Sequence, residues 1–382
     1  VWAPLLSELV DNESHSHSHG HANKKHKSNK KIASSSDAKS LQLSLSTFWP
    51  TFDNTFFSHT ASPERKHTGL QVLELTTSLP TFQPTFYQIV LDTNVSRVIV
   101  NHLAKKDRVL HSLSTNVVAA IVASAKAKSN TGARLELVRA LEKQCVLFDR
   151  LTRTKTVRDL ISNIHDEKHP ESLENSIEQF QSLAHWLCED APVELASKDG
   201  DNANDIYPFA LDFSLNLIRG NKSLLRCTFT EEDGDEDVNC ALTLIGSVKQ
   251  ILGFVSSLVY TKKSQQLNEN TVKGAKDRLE SILADLMETC KGKVDWAGMI
   301  VEFLNRADDE GILNNDVGED DELKETKMRS LEIWSSLYKE IRDDKEKESK
   351  GKKKEDADED RLETKKRLNN CLVMLFSTGL ME

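Results

Sequence analysis

The sequence predicts an all-α protein, an irregular HEAT- or armadillo-like α-solenoid with disordered charged insertions. Apolar residues recur at the spacing of one helix face along most of the chain, as in residues 109–125. Proline and glycine are scarce, at 8 and 15 of 382 residues, and no run of short alternating strands bounded by turn residues occurs. Hydrophobic residues make up 38% and charged residues 29% of the chain, a balance that favours stacked helix pairs over one large compact core.

The pattern divides the chain into helical and charged segments. The predicted parts are a partial helix at 1–10, a disordered His/Ser/Lys-rich insertion at 11–40, the solenoid at 41–305, an acidic loop at 306–322, a helix at 323–342, a charged disordered insertion at 343–360 and a helix at 361–382. The insertions have few aliphatic residues, and burial cannot offset the entropy lost in ordering them. The chain begins with Val and stops just after an apolar helix, and we expect it to be a fragment of a longer protein.

The stretch 95–125 predicts a helix, a short turn and a second helix. The second helix carries an apolar stripe from Val109 onward, in which core positions are expected at Leu110, Leu113, Val117 and Ile121. The turn holds "KKDR" (105–108), where Asp107 can accept hydrogen bonds from the amides that begin the next helix. Two interpretations stay open: the basic turn contacts phosphate groups, or Asp107 and Arg108 form only a capping pair.

Charge is polarised along the chain. The formal net charge is −10, which argues against attraction of nucleic acid by the whole surface, although local patches can still act. Basic residues gather in the first half, including "KKHKSNKK" (24–31), which is equally consistent with a basic targeting or RNA-contacting arm and with a solvated linker. Residues 308–322 hold eight carboxylates and no Lys or Arg.

Enzyme and metal signals are weak. No catalytic, cofactor-binding or metal-ligating residue is assigned, since there is no GxSxG elbow, no phosphate-cradling glycine loop and no CxxC pair among the six cysteines. The tract "HSHSHGH" (15–21) could chelate a transition metal, but a Ser/Gly-rich linker gives no fixed geometry, and an incidental linker is favoured. The acidic runs at 199–205 and 231–237 are interpreted as solvated loops.

Two further patterns concern membranes and helix starts. No signal peptide is evident, and no apolar run approaches the length of about 20 residues needed to cross a bilayer. No membrane contact and no small-molecule substrate is therefore expected. "SPERK" (62–66) is interpreted as a turn, and Asp92 of "LDTN" (91–94) as the cap of the following helix.

Three segments together resemble one family: "NTFFSHTASPERKHTGLQVLE" (54–74), "LAKKDRVLHSLSTNVVAAI" (103–121) and "FDRLTRTKTVRDLI" (148–161). They are similar in order and spacing to the DNA polymerase V / DNA polymerase phi family, whose animal member is Myb-binding protein 1A. "RLNNCLVMLFSTGLME" (367–382) looks like the apolar helix that precedes a further charged region in that family. The likeness is good over roughly residues 45–165, and elsewhere it rests on helix order and charged loops.

The resemblance implies a non-enzymatic α-solenoid of the nucleus and nucleolus that acts in ribosomal RNA synthesis and large-subunit assembly. Its partners would be pre-ribosomal RNA or rDNA-associated particles and ribosome assembly factors, with no cofactor. The rival functions are a transcription co-regulator that contacts only proteins and a nucleotidyltransferase, as the family name suggests. The nucleic-acid contact candidates are Arg65, Lys66, Lys105, Lys106, Arg108 and Lys155.

Overall fold

The computed structural model describes residues 2–18, 43–127, 132–165, 173–196, 203–230, 235–290, 294–310 and 312. Its α-helices are α1 (Trp2–Ser18), α2 (Leu45–Phe57), α3 (Pro63–Thr77), α4 (Tyr87–Val90), α5 (Thr93–Leu103), α6 (His111–Ala127), α7 (Ala133–Gln144), α8 (Phe148–Thr152), α9 (Thr156–Ile161), α10 (Leu173–His185), α11 (Ala191–Glu194), α12 (Ala203–Gly220), α13 (Lys222–Thr230), α14 (Asp235–Tyr260), α15 (Glu269–Cys290) and α16 (Trp296–Asp309). Short 3-10 helices and one π-helical turn, Trp186–Asp190, supplement them. No β-strand occurs in these ranges, and the predicted all-α class is confirmed for them.

Helix α1 is longer than the sequence indicated. The prediction of disorder over 11–40 is wrong for residues 11–18, which continue the helix to Ser18. The cause is a contact with the start of α2: the Glu13 carboxylate, 4% exposed, accepts hydrogen bonds from the Ser46 amide (2.9 Å) and hydroxyl (2.8 Å). A charged side chain that caps a neighbouring helix orders a segment with few aliphatic residues. Residues 19–40 lie outside the described ranges.

The acidic segments also enter helices. Helix α16 ends at Asp309, and the predicted loop at 306–322 is therefore wrong over 306–309, where Ala307 is 2% exposed. Helices α12 and α14 begin inside the acidic runs that were interpreted as solvated loops. Carboxylates are stabilising in the first turn of a helix, because they meet the positive end of its dipole. The predictions for 323–342, 343–360 and 361–382 lie outside the described residues.

Contact clustering divides the chain into two compact units, and the first comprises Val1–Thr228 and Asp233–Leu244. Some successive helices in this unit contact one another, such as α2 with α3 and α5 with α6, and some contacts join helices two apart, such as α1 with α3. A further set of pairs joins helices three apart: α2 with α5, α3 with α6, α4 with α7, α5 with α8, α6 with α9, α7 with α10 and α9 with α12. Each of these helices therefore packs against the third helix further along the chain.

Aromatic rings fill the contact between α1 and α2. The ring of Phe52 lies 5.9 Å from that of Trp2, 4.9 Å from that of Trp49 and 4.5 Å from that of Phe56, as measured between centroids. Asp53, 2% exposed, lies beside this cluster and accepts a hydrogen bond from the Val95 amide at 2.9 Å. The Asp53 carboxylate therefore satisfies a free amide at the N-terminus of α5. The predicted cap of the same helix, Asp92, accepts a hydrogen bond from the Thr93 amide at 2.7 Å.

Several hydrogen bonds from other elements meet at the carbonyl end of α9. The Arg134 guanidinium, on α7 and 9% exposed, donates through Nη1 to the carbonyl oxygens of Leu160 (3.0 Å) and Ser162 (3.2 Å). From the other side, Asn221 donates through Nδ2 to the Ile161 carbonyl at 2.7 Å. These two side chains tie α7 and the end of α12 to orphan carbonyls that helix α9 cannot satisfy itself.

The backbones of α9 and α12 also meet at this junction. The Asn163 amide donates to the Gly220 carbonyl at 2.8 Å, and the Ile164 amide donates to Oδ1 of Asn221 at 2.9 Å. A Cβ added at Gly220 would lie 2.9 Å from the Ser162 Cα, closer than real Cβ atoms approach backbone. Glycine is therefore needed at this position for the two chain segments to approach.

The connection between α7 and α8 holds a buried carboxylate. Glu142, 1% exposed, accepts a hydrogen bond from the Leu147 amide at 2.9 Å and so holds Leu147 in a left-handed conformation (φ 64°). Burial raises the pKa of Glu142 to about 8. Because the folded pKa lies above the ordinary value, this group stabilises the fold most in acid and loses that contribution as pH rises towards 8.

The second unit comprises Phe229–Glu232 and Ile245–Glu382. Helices α15 and α16 pack together in it, and α14 buries a stripe at helical spacing that includes Val248, Ile251, Val255 and Leu258. Lys249 donates through Nζ to Glu302 of α16 at 2.7 Å. This unit is thus held by apolar burial and by a partly exposed ion pair.

The expectation that no apolar segment approaches the length of a membrane span is wrong for α14. The stretch Asn239–Tyr260 is long and apolar enough, by length and composition, to cross a bilayer. Half of its most apolar stretch is buried within the protein. The core helix of a soluble protein can have the same length and apolar composition. Among the described helices, none besides this one has that character.

The apolar stripe of α6 is confirmed in part. Leu110, Val117 and Ile121 are 4%, 0% and 3% exposed, as the spacing predicted. Val109 was placed in the stripe but is 82% exposed, and Leu113 is half-buried rather than core. The helix begins only at His111, and its rotation places the Ser114 side chain, 0% exposed, where Leu113 was expected.

Substitution of aspartate at Val117 should lower the free energy of unfolding by about 3 kcal/mol or more, because an unpaired carboxylate would be buried. The same change at Leu113 should cost much less, since that side chain reaches solvent. Urea denaturation followed by circular dichroism measures both. Equal losses in the two variants would contradict the observed rotation of α6.

Replacement of Arg134 by methionine should lower the free energy of unfolding by about 2–4 kcal/mol, because buried carbonyls of α9 would lose their donors. Arg158→Met is the matched control, because Arg158 lies on α9, the helix whose carbonyls Arg134 contacts, and its side chain is exposed. Thermal and urea denaturation should leave the control close to wild type. A loss at Arg158 equal to that at Arg134 would show that total charge matters rather than the carbonyl contacts.

Candidate nucleic-acid interface

Two of the six candidate cations lie at the start of α3. The interpretation of "SPERK" as a turn is wrong, because Ser62 is the N-cap and Pro63 begins the helix. The Ser62 hydroxyl accepts from the Arg65 amide at 3.4 Å, and the Ser62 carbonyl accepts from the Lys66 amide at 3.1 Å. Both cations therefore project from the first helical turn, with Arg65 exposed and Lys66 half-buried.

Three more candidates lie on the connection between α5 and α6. Lys105, Lys106 and Arg108 are all exposed there. The Arg108 amide donates to the Lys105 carbonyl at 3.2 Å, and the His111 amide donates to the Arg108 carbonyl at 3.0 Å. The predicted cap at Asp107 is wrong, because α6 begins four residues later, at His111, and these backbone turns fill the gap.

The structure brings Lys66 and Arg108 to one place, around His102 in the last turn of α5. The pKa of His102 is lowered, first by burial and then by the positive charges of Arg108, Lys66 and His111. His111 is fixed there by a contact of 2.9 Å between its Nδ1 atom and the His102 carbonyl oxygen. We call Lys66, His102, Arg108 and His111 the basic cluster.

None of the six candidate cations forms an ion pair with another residue that the structure describes. Helix packing explains how the cluster forms, since α6 contacts both α3 and α5. Cations that converge without a carboxylate partner repel one another, and an anion relieves that repulsion. The five candidates on α3 and on the α5–α6 connection are therefore available to a phosphate backbone.

Lys155 lies elsewhere, on the connection between α8 and α9, where it is exposed. No contact within the described ranges joins it to the basic cluster. The N-terminus of α9 is already occupied by the half-buried Asp149 carboxylate, which accepts hydrogen bonds from the amides of Val157 (3.0 Å) and Arg158 (2.9 Å). Burial raises the pKa of Asp149. Lys155 can offer charge to a ligand, but not the amides of this helix end.

Sequence reasoning missed the two histidines of the basic cluster. No role was assigned to either His102 or His111 from the sequence. The available signal was their location: one histidine ends the first helix and the other starts the second, on either side of "KKDR". Only the packing of α3 against α6 shows that Lys66 joins them.

The described residues show little of the chemistry that catalysis or metal binding needs. They contain no group of three or more His, Cys, Asp or Glu side chains placed to hold a metal ion. Burial raises the pKa of the Cys145 thiol to about 11 and that of Cys188 to about 12, and both stay protonated and weakly nucleophilic at neutral pH. In the histidine tract, His15 and His17 fall at the end of α1, and His19 and His21 lie outside the described ranges.

The part of the chain that the structure describes is all-helical, and the candidate cations on α3 and on the α5–α6 connection have no ion-pair partner within it. The family model described as DNA polymerase phi matches residues 1–355, and the chain belongs to this family. This membership confirms the resemblance carried by the three segments in the first half of the sequence.

Two curated relatives are transcriptional regulators by name. The rDNA transcriptional regulator pol5 of Schizosaccharomyces pombe is 26% identical over 178 residues, which cover 46% of this chain and 17% of that protein. The rDNA transcriptional regulator POL5 of Saccharomyces cerevisiae is 25% identical over 300 residues, which cover 75% of this chain and 24% of that protein. The chain thus spans no more than about a quarter of the length of these relatives. No solved structure matches it.

Proposed function

We propose that this chain is part of a non-enzymatic nucleolar scaffold in ribosome biogenesis, which holds pre-ribosomal RNA or rDNA-associated particles together with assembly factors. The observation that carries the proposal is the set of unpaired cations on α3 and on the α5–α6 connection, Arg65, Lys66, Lys105, Lys106 and Arg108. The names of the two relatives support a role at rDNA, and hence a nuclear and nucleolar location.

An irregular α-solenoid is the architecture we propose for this scaffold. The contacts between each helix and the third helix further along support it, because a repeat of three helices has this neighbour pattern. The short helices α4, α8 and α9 would make such a repeat irregular. In such an array the connections between helices form an edge, where cations can contact a long polyanion.

Charge reversal of the α5–α6 connection tests the RNA contact. The triple variant Lys105→Glu, Lys106→Glu and Arg108→Glu should bind a labelled single-stranded RNA about tenfold more weakly, and its salt slope should fall by about 2, because three phosphate contacts are lost. Fluorescence anisotropy at two salt concentrations measures both quantities. Circular dichroism on the same samples should show unchanged helicity, because all three side chains are exposed.

The matched control reverses three exposed lysines of the second unit, Lys262, Lys263 and Lys273. Both triple variants change the net charge by the same amount, so only the position of the change differs. The control should keep its affinity within about twofold of wild type if the α5–α6 connection, rather than the total charge of the chain, contacts the RNA. Unchanged affinity in a folded triple variant of the α5–α6 connection would contradict the proposal.

The first alternative function is a transcription co-regulator that contacts only proteins. It is favoured by the net charge of −10 and by Val109, an apolar side chain 82% exposed at the end of the basic turn. Crosslinking to RNA in cells discriminates the two functions, since a purely protein-binding chain gives few direct crosslinks. The second alternative, a nucleotidyltransferase, rests on the family name. Primer extension by the purified chain tests it, and the scaffold proposal expects no incorporation above background.

A further inference from the structure

The basic cluster has a more specific geometry than an exposed cationic patch. Its four side chains come from three helices and one connection: Lys66 from the first turn of α3, His102 from the last turn of α5, Arg108 from the connection and His111 from the start of α6. Helix α6 packs against both α3 and α5, and this packing fixes the cluster. The packing of α6 against α3 and α5 therefore brings the elements that carry these four residues together.

One histidine of the cluster has a defined tautomer. The Nδ1 atom of His111 lies 2.9 Å from the carbonyl oxygen of His102. A carbonyl oxygen only accepts hydrogen bonds, so Nδ1 of His111 must carry the hydrogen. This bond ties the ring to the last turn of α5, and in the neutral ring it leaves Nε2 as an acceptor that becomes a donor on protonation.

The surroundings of the other histidine disfavour its charged form. Nδ1 of His102 is buried, and within the described part of the chain it has no hydrogen-bond partner. Protonation would therefore add a charge beside Arg108, Lys66 and His111 and leave a buried N–H without an acceptor. Burial first, and then these three cations, lower the pKa of His102, and no carboxylate is among the groups that act on it.

We propose that the basic cluster holds one phosphate group of a bound nucleic-acid backbone, and that His102 takes up a proton from solvent when that phosphate binds. The proposal rests on the proposed function of the same surface and adds its regulation by pH. The phosphate diester supplies a negative charge that Lys66 and Arg108 contact by charge-assisted hydrogen bonds. No covalent bond forms or breaks, and the only species gained besides the ligand is one proton.

The sign of the pH dependence follows from the cluster. A phosphate beside Lys66 and Arg108 favours the charged form of His102, so the pKa of the ring is higher in the complex than in the free protein. Binding therefore takes up a proton at any pH between these two values, and affinity rises as pH falls through that interval. Below the pKa of the free protein the gain levels off.

The binding experiment compares wild type with His102→Gln, using labelled oligouridylate as the probe, because uracil does not titrate in this range. Wild type should bind about threefold or more tightly at pH of about 6 than at about 7.5, the change expected when one proton is linked to binding. His102→Gln should lose this ratio, whatever its affinity at the higher pH. His185→Gln, which alters an exposed histidine on α10, should keep the ratio.

Proton uptake can also be measured directly. Calorimetry of oligouridylate binding in two buffers with different ionisation enthalpies should show fractional proton uptake by wild type and by His185→Gln, and less uptake by His102→Gln. Retention of the full pH ratio and of the full proton uptake by a folded His102→Gln variant would overturn the proposal.

A second probe separates this inference from the proposed function. Nuclear magnetic resonance of the imidazole signals, with and without sulfate, tests the anion site without nucleic acid. Sulfate should raise the titration midpoint of His102 and leave that of His185 unchanged. If oligouridylate does not bind but sulfate raises the His102 midpoint, the nucleic-acid function fails and the anion site stands. If sulfate leaves the His102 midpoint unchanged, the anion site is wrong, even when oligouridylate binds elsewhere.

Discussion

The first unit depends on how the carbonyl end of α9 is satisfied. Helix α9 has only six residues, too few to be stable alone, and its orphan carbonyls face the protein interior. Arg134 from α7 and Asn221 from the end of α12 supply the donors, at distances from 2.7 to 3.2 Å. These contacts connect parts of the chain 26 to 60 residues apart, so three helices lose their mutual position if either side chain is removed.

The same junction positions the proposed interface. Helix α6 contacts α9 as well as α3 and α5, so it connects the junction to the helices that carry the basic cluster. The cluster itself costs stability, because Lys66, Arg108 and the two histidines converge without a carboxylate. A fold that holds like charges together must be stabilised elsewhere, and the buried carbonyl contacts of Arg134 and Asn221 are the strongest candidates.

Much of this architecture could be predicted from the sequence, because helical periodicity and caps are local signals. The stripe through Val117 and Ile121 and the cap at Asp92 were both predictable from spacing. The predicted bounds were wrong where a contact with one helix orders the end of another. Glu13 orders the end of α1 through a contact 33 residues away, a distance at which the sequence pattern carries no signal.

Only part of the candidate interface could be predicted, because only part of it depends on residues that are close in sequence. Lys105, Lys106 and Arg108 are neighbours in sequence, so their shared turn could be predicted. The meeting of Lys66 with His102 depends on the packing of α3 against α6, which no local pattern encodes. Histidine is also ambiguous in a sequence, since it occurs both on apolar helix faces and in ligand sites, and only its surroundings decide between them.

Hydrogen exchange at the α9–α12 junction tests the central claim most directly. The amides of Asn163 and Ile164 lie outside any helix, yet they donate to Gly220 and to Asn221. If this junction holds the first unit together, both amides should exchange as slowly as the helical amides of α12, since only unfolding of the whole unit exposes them. Exchange of both at the rate of an open loop, while the amides of α12 stay protected, would contradict the account.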